Sequence, residues 1–264
     1  MPRVLLILFC CCATWANAEK FLVALEDADN RPYEYRDQSK TLTGFHIELV
    51  RAVASSLGWD VAFIALPWKR VISQLENNSV DAAIYVAASP EREAFAKFLP
   101  DNLLHVNGAT LYIKKSRADE ITFHQPLEAF ADRWHIGFPD GYYMGERIQT
   151  LIDKGDSVNT ATVNQSRLFN MLQTDRYDAV FGSITALSLA VNSLFRDELQ
   201  ALENSTFLAT KMYIAFPRNK DSVQADQFAQ AYRSFRKQPA YEVLIQQFNI
   251  GATRPTEVDF NALD

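Results

Sequence analysis

Cysteine is nearly absent from this 264-residue sequence: the three present, Cys10, Cys11 and Cys12, are adjacent and close to the start. Beyond them disulfides, thiolate catalysis and cysteine-ligated zinc are excluded. Positive charge is not in excess either. Against 32 Asp and Glu stand 26 Lys and Arg, a net charge of −6, so the electrostatic footprint of a nucleic-acid or anionic-membrane binder is missing. After the first residues no run approaches 18 uninterrupted apolar residues, which excludes a membrane-spanning helix. Charged residues make up 22% and hydrophobic ones 48%, which excludes disorder and collagen.

Chemical signatures are equally sparse. His46, His105, His124 and His135 show no i, i+4 pairing and no companion ligands at metal spacing, so each reads as structural or exposed. There is no G-x-S-x-G, G-x-G-x-x-G or P-loop, and the S-x-x-K match at Ser234 to Lys237 falls on a basic, surface-like helix. Carboxylates abound, but sequence does not pair them in space, so glycosidase-type chemistry is neither built nor excluded. No metal or cofactor is expected.

What is present begins with an export pattern. Arg3 precedes an apolar run from Val4 to about Ala13, too short to span a bilayer, and Ala16-Asn17-Ala18 offers a cleavage site before Glu19. Cys10 follows Phe9, and the other two follow cysteines, which speaks against a lipoprotein signal. Cleavage after Ala18 leaves 246 residues without cysteine, and loss of Arg3 takes the net charge to −7. A soluble periplasmic protein is expected, with no direct membrane insertion.

Strand-like and helix-like segments then alternate. Lys20–Leu25 reads as a buried strand. Phe45–Leu57 carries Ile47, Leu49, Val50, Val53, Ala54 and Leu57 at helical spacing and stops at Gly58. A strand at Trp59–Ala65, a short helix after Pro67, a turn at Asn77-Asn78-Ser79 and a strand at Asp81–Val86 complete βαβαβ, the pattern of a mainly parallel sheet with flanking helices. The alternation repeats with strands at His135–Phe138, Val158–Val163 and Asp178–Phe181 and helices at Met144–Ile152, Arg167–Leu172 and Thr185–Leu194. Extended segments at Leu104–Ile113 and Phe207–Phe216 flank this second group, and C-terminal helices follow around Phe228–Phe235 and Tyr241–Phe248. This gives an α/β chain of two lobes with two hinge crossings: residues 19–104 plus 211–264 in the first lobe, 105–210 in the second. A cleft between the lobes, closing about a ligand, follows from that arrangement.

Several stretches carry a resemblance: Arg31-Pro32-Tyr33-Glu34-Tyr35, Gly44-Phe45-His46-Ile47-Glu48-Leu49, Leu57-Gly58-Trp59, Leu75 to Asp81, and Ser89-Pro90-Glu91-Arg92 with Phe98. Gly137 to Tyr142 and Asp175 to Val180 add to them in the second half. In order and spacing these resemble the extracellular solute-binding proteins of family 3, the type II periplasmic binding proteins of polar amino-acid ABC transporters. The resemblance spans nearly all of the chain after the leader. It implies the two-lobed type II fold, a small-molecule solute, an inner-membrane ABC permease as partner, no nucleic acid, and a monomer.

The resemblance also implies a site. Trp68 stands where relatives place an aromatic wall, where a core tryptophan is the alternative. Arg92, after Ser89, matches the family's carboxylate clamp, whose planar fork forms two charge-assisted bonds; a solvated charge is the alternative. The interval from Asp81 to Arg92 is one residue short of the usual pattern, and Tyr85-Val86-Ala87-Ala88 replaces the usual glycine and hydroxyl positions. Hydrogen bonds there must come from the Tyr85–Ala87 backbone or from Ser89. The acid that relatives aim at the α-ammonium is replaced by Ser183, which puts a standard α-amino acid in doubt. Asp27 matches an acidic position that in some relatives reaches the ligand side chain, with turn capping as its alternative. Gly141, Tyr142 and Tyr143 lead into a helix N-terminus suited to an anion. The two tyrosines narrow the cleft and favour a flat ligand, unless one of them packs beneath the loop. An enzyme on the same scaffold, of the cyclohexadienyl dehydratase kind, and a sensory or accessory module are the other readings.

Overall fold

The computed structural model describes residues 20–155, 158–188, 190, 193–207, 210–220 and 222–261. The expected leader, residues 1–18, and its cleavage point lie outside the described residues. Among those described, no helix is long and apolar enough to cross a membrane.

Two sheets of matching design carry the fold. In the first, parallel strands Val61–Leu66, Phe21–Glu26 and Ala82–Ala87 are followed by the antiparallel Thr210–Pro217, which pairs in turn with Ala96–Lys97 and Leu103–Asn107. In the second, Val158–Ala161, Ile136–Pro139 and Ala179–Ser183 are parallel, Ala109–Lys114 runs antiparallel to them, and Leu199–Ala201 pairs antiparallel with Ala109–Lys114 at the edge. Each antiparallel strand beside a parallel trio comes from a crossing segment. The first sheet keeps Leu103–Asn107, past the expected limit at Leu104; the chain turns at Gly108 and enters the second sheet at Ala109.

Helices cover both faces of each sheet, as crossover connections require. Phe45–Ser56, Ser222–Phe235 and Pro239–Gln247 bury Phe45, Ile47, Phe228, Tyr232 and Tyr241 on one face of the first sheet. Trp68–Glu76 covers the other face with Trp68, Val71 and Leu75. In the second sheet, Gln165–Gln173 inserts Leu168, Phe169 and Leu172.

Gly44 governs how the first of these helices docks. Its φ is +126°, and a Cβ there would lie 2.3 Å from the Tyr33 carbonyl oxygen. Only glycine admits the loop carrying Tyr33 and Glu34 this close to the helix start, where Phe45 and His46 donate their N–H groups to the Pro32 and Tyr33 carbonyls.

One expected element is absent. The helix expected over Thr185–Leu194 is replaced by turns at 184–188, and a short helix forms later at Ser193–Glu198. Local polar bonds account for the difference. Thr185 donates its N–H to Ser183 Oγ, Ala186 donates to the Ser183 carbonyl, and Ser188 Oγ donates to the Thr185 carbonyl, so serine and threonine supply the backbone with partners other than a helix ladder.

Candidate functional site

Parallel strands place their carboxyl ends together, and ligands of open α/β sheets bind there. A cavity of 480 Å³ lies at that point between the two sheets. Glu26 ends one strand, Trp68 follows the next, and Ala87 ends the third. From the second lobe come Tyr142 and Tyr143 after Ile136–Pro139, and Ser183 at the end of Ala179–Ser183.

Arg92 sits in a one-turn helix, Pro90–Glu93, capped by Ser89, whose Oγ accepts the Arg92 N–H at 3.3 Å. Ser89 itself is outside the cavity lining. The Arg92 side chain is 6% exposed and lines the cavity. Its Nη1 donates to the Ala87 carbonyl at 2.9 Å and its Nη2 to the Gly141 carbonyl at 2.7 Å, with Trp68 5.6 Å away. Burial pulls its pKa down to about 10. Among the described residues no carboxylate forms an ion pair with it. Trp68 is buried and lines the cavity, and its indole Nε1 donates to the same Gly141 carbonyl at 2.7 Å.

Those bonds join the lobes, and two others do the same. Lys69 pairs with Asp140, and the Tyr142 hydroxyl donates to Glu26 Oε2 at 2.5 Å. The Tyr142 ring packs against core residues of both lobes and meets Trp68 edge-on at 5.8 Å. The structure is therefore a closed form. Tyr143, partly buried, also lines the cavity.

Tyr85 lines the cavity from a β-bulge: its strand carries an extra residue against Tyr213–Ala215, and its φ is +62°. Ser183 lines it as well, but its Oγ is engaged, accepting from Asn107 Nδ2 at 2.7 Å and bonding Thr185 Oγ1 at 2.9 Å. Asp27 lies outside the lining; its carboxylate is more than half exposed and pairs with Arg36 at 3.5 Å.

Two acids do line the cavity, Asp29, which pairs with Arg31, and Asp27's neighbour Glu26, 8% exposed, and sequence reasoning singled out neither. For Glu26 the signal was strand alternation, which sets residue 26 on the opposite side from residue 27. Burial raises the Glu26 pKa, opposed by hydrogen bonds from Tyr142 and Asn30. Asn107 and Gln165 are further polar lining residues. Gln165 lies across Gly182, where a Cβ would come within 2.9 Å of its amide.

Behind the lining runs a buried polar chain. Glu34 Oε1 is 3.0 Å from His46 Nδ1, and His46 Nε2 is 2.9 Å from His105 Nδ1. Tyr33, which lines the cavity, stacks on His105 at 4.0 Å, and Tyr85 meets both imidazoles edge-on. Burial pushes Glu34 well above the usual carboxylate range, His46 well below 6.5, and His105 down to about 3. Both imidazoles are thus neutral near neutral pH, and burial favours the protonated form of Glu34. No cluster able to hold a metal ion occurs among the described residues.

Closed lobes around a cavity at the strand ends define a binding protein of the two-lobed periplasmic type. The family model for bacterial extracellular solute-binding proteins, family 3, matches residues 22–157, and the chain belongs to that family. A curated relative is the arginine-binding extracellular protein ArtP of Bacillus subtilis (strain 168), 22% identical over 95% of this chain and 99% of its own. Among solved structures, the arginine-, lysine-, histidine-binding protein ArtJ of Geobacillus stearothermophilus superposes with a TM-score of 0.76 at 17% identity, covering 92% of this chain and 100% of its own. A histidine kinase sensor domain with similarity to periplasmic binding proteins has the same TM-score at 18% identity, over 90% and 98%. These likenesses confirm the type II fold.

Proposed function

We propose that this protein closes its lobes on a small polar solute bearing a carboxylate, amino-acid-like or a small organic acid, and delivers it from the periplasm to an inner-membrane ABC permease. Arg92 carries the reading. A buried guanidinium that faces a cavity and has only carbonyl partners retains N–H donors for an anion. A buried cation left without a counterion is costly, and a bound carboxylate removes that cost. Trp68 and Tyr142 supply the flat walls.

Isothermal titration across amino acids and small organic acids tests this, with Arg92→Ala alongside. Loss of a buried bidentate partner costs about 2–5 kcal/mol, roughly 30-fold or more in affinity. Unchanged affinity for a solute bound by the wild type removes Arg92 from the site.

One observation favours a second reading, an enzyme on this scaffold. Glu26 is a cleft carboxylate whose pKa is raised by burial, a property of general acids. Mass spectrometry of the bound solute after prolonged incubation separates the two, since a binding protein returns it unchanged.

A further inference from the structure

We propose that the second lobe holds a ring-binding recess, so that the solute is a carboxylic acid carrying an aromatic group, with its acid end at Arg92 and its ring against Phe169. The inference rests on the reading of Arg92 as the carboxylate clamp and names the class of the rest of the solute.

The cavity is larger than a carboxylate and its neighbouring carbon need. Its volume is 480 Å³. A cavity of about 150 Å³ encloses one benzene molecule, so about three groups of that size fit here. Charge is confined to one side. Glu26, Asp29, Arg31 and Arg92 line the cavity, all from the first lobe, whereas the described second-lobe residues in the lining are neutral. A charged tail placed among them would give up its water without gaining a countercharge, a cost that a neutral group avoids.

Neutral polar side chains on the second-lobe side are engaged with one another and with the backbone. Gln165 Nε2 donates to the Phe181 carbonyl at 3.2 Å, and Ser183 Oγ accepts from Asn107 Nδ2 at 2.7 Å and bonds Thr185 Oγ1 at 2.9 Å. What the helix Gln165–Gln173 offers beyond Gln165 is apolar. Phe169, one turn on, shares its face and lines the cavity, while Ser166 and Asn170 beside it are exposed and mark the opening to solvent. The Phe195 ring meets Phe169 at 5.3 Å and an angle of 64°, and it lines the cavity together with Ala186 and Met212. Aromatic pairs of this geometry pack well against a further ring, and the flexible thioether of Met212 adapts to its shape. Ala186 lies in the turns that replace the expected helix, and its small side chain leaves room that a larger one would fill.

The test uses two probe pairs that differ by a phenyl group on the same acid: propionate against 3-phenylpropionate, and L-alanine against L-phenylalanine. Titration calorimetry on the wild type is expected to show at least one pair in which the ring-bearing member binds roughly tenfold or more tightly, the scale of burying a phenyl side chain. Ser166→Trp, a change at an exposed position of the lining, sets an indole in the recess and is expected to reduce that preference to about threefold or less, with the thermal unfolding midpoint unchanged. Phe169→Leu keeps the wall apolar and is expected to weaken the ring-bearing member by about threefold. No ring preference in either pair, or binding of none of the four, overturns the proposal. An undiminished preference in either variant also overturns it, and places the ring at Trp68 instead. Failure of the Arg92 reading shows separately: Arg92→Ala weakens both members of a pair equally if the clamp is real, whereas the recess variants alter their ratio.

Discussion

Acidification from pH 6.5 to 5 is expected to weaken the fold through the chain Glu34, His46 and His105, and replacing Glu34 is expected to make the loss steeper. In the native state burial holds His105 at about 3, so that its imidazole stays neutral over this range, and lowers His46 well below 6.5 in the same sense. Unfolded, each takes up a proton below about 6.5. Folded pKa values below the unfolded ones mean stability present above 6.5 and lost as the pH falls. Glu34 acts in the opposite sense, because its folded pKa lies well above 4.5 and unfolding releases its proton. His105 alone takes up one proton on unfolding, worth about 1.4 kcal/mol per pH unit; His46 adds to that loss and Glu34 offsets it. Allowing for partial titration near 6.5, His105 contributes a loss of roughly 1.5 kcal/mol on reaching pH 5, and Glu34→Gln, which has no proton to release, is expected to lose more than the wild type over the same interval. The neighbours Glu26, Tyr33 and Tyr85 are common to both proteins and largely cancel in the difference. Urea unfolding followed by tryptophan fluorescence at half-unit pH steps measures both slopes. Parallel curves for wild type and Glu34→Gln refute the assignment of a bound proton to Glu34.

Two further substitutions probe the architecture around the site. Gly44→Ala places a Cβ 2.3 Å from the Tyr33 carbonyl oxygen at a φ of +126°, so a loss of about 2–4 kcal/mol is expected in the unfolding midpoint; an unchanged midpoint shows that the loop yields freely. Tyr142→Phe keeps the ring but removes the hydroxyl bonded to Glu26, so small-angle scattering is expected to show a more open protein and titration a roughly tenfold weaker solute affinity. Unchanged scattering and affinity refute a role for that bond in closure.

The parallel strands were legible because their apolar runs, bounded by turn residues, leave little choice of element. Trp68, Arg92, Tyr85, Ala87, Tyr142, Tyr143 and Ser183 were legible by position in a family pattern, and the structure sets all seven around one cavity. Glu26 was hidden because the strand runs one residue past its apolar stretch, so the family-matched acid, Asp27, drew attention to the outward face. The helix expected over Thr185–Leu194 followed apolar spacing and ignored the side-chain bonds of Ser183, Thr185 and Ser188. The Glu34, His46 and His105 chain has no linear signature, its members lying 12 and 59 positions apart and meeting only because Gly44 lets the loop approach the helix.

Closure depends on one short segment. Asp140, Gly141 and Tyr142 leave a second-lobe strand and meet Lys69, then Trp68 and Arg92, then Glu26 of the first lobe. These contacts are unequal. The Lys69 ammonium is more than half exposed, and such a pair contributes about 1 kcal/mol or less. The bonds on the Gly141 carbonyl and on Glu26 are part-buried, with Trp68, Arg92 and Glu26 each buried, and contribute more. Glycine also suits position 141, since its φ is +79°, and a Cβ there would stand 3.3 Å from Trp68 Cδ1 and press on the indole by a few tenths of an ångström. Arg92 bonds Gly141 through Nη2 and Ala87 through Nη1, which leaves other N–H groups for a solute. A carboxylate taken by those groups, as proposed, adds to the latch instead of competing with it. On the proposed reading solute and latch share Arg92 without displacing each other, and a solute that does so binds the closed form more tightly than the open one, the condition for ligand-driven closure.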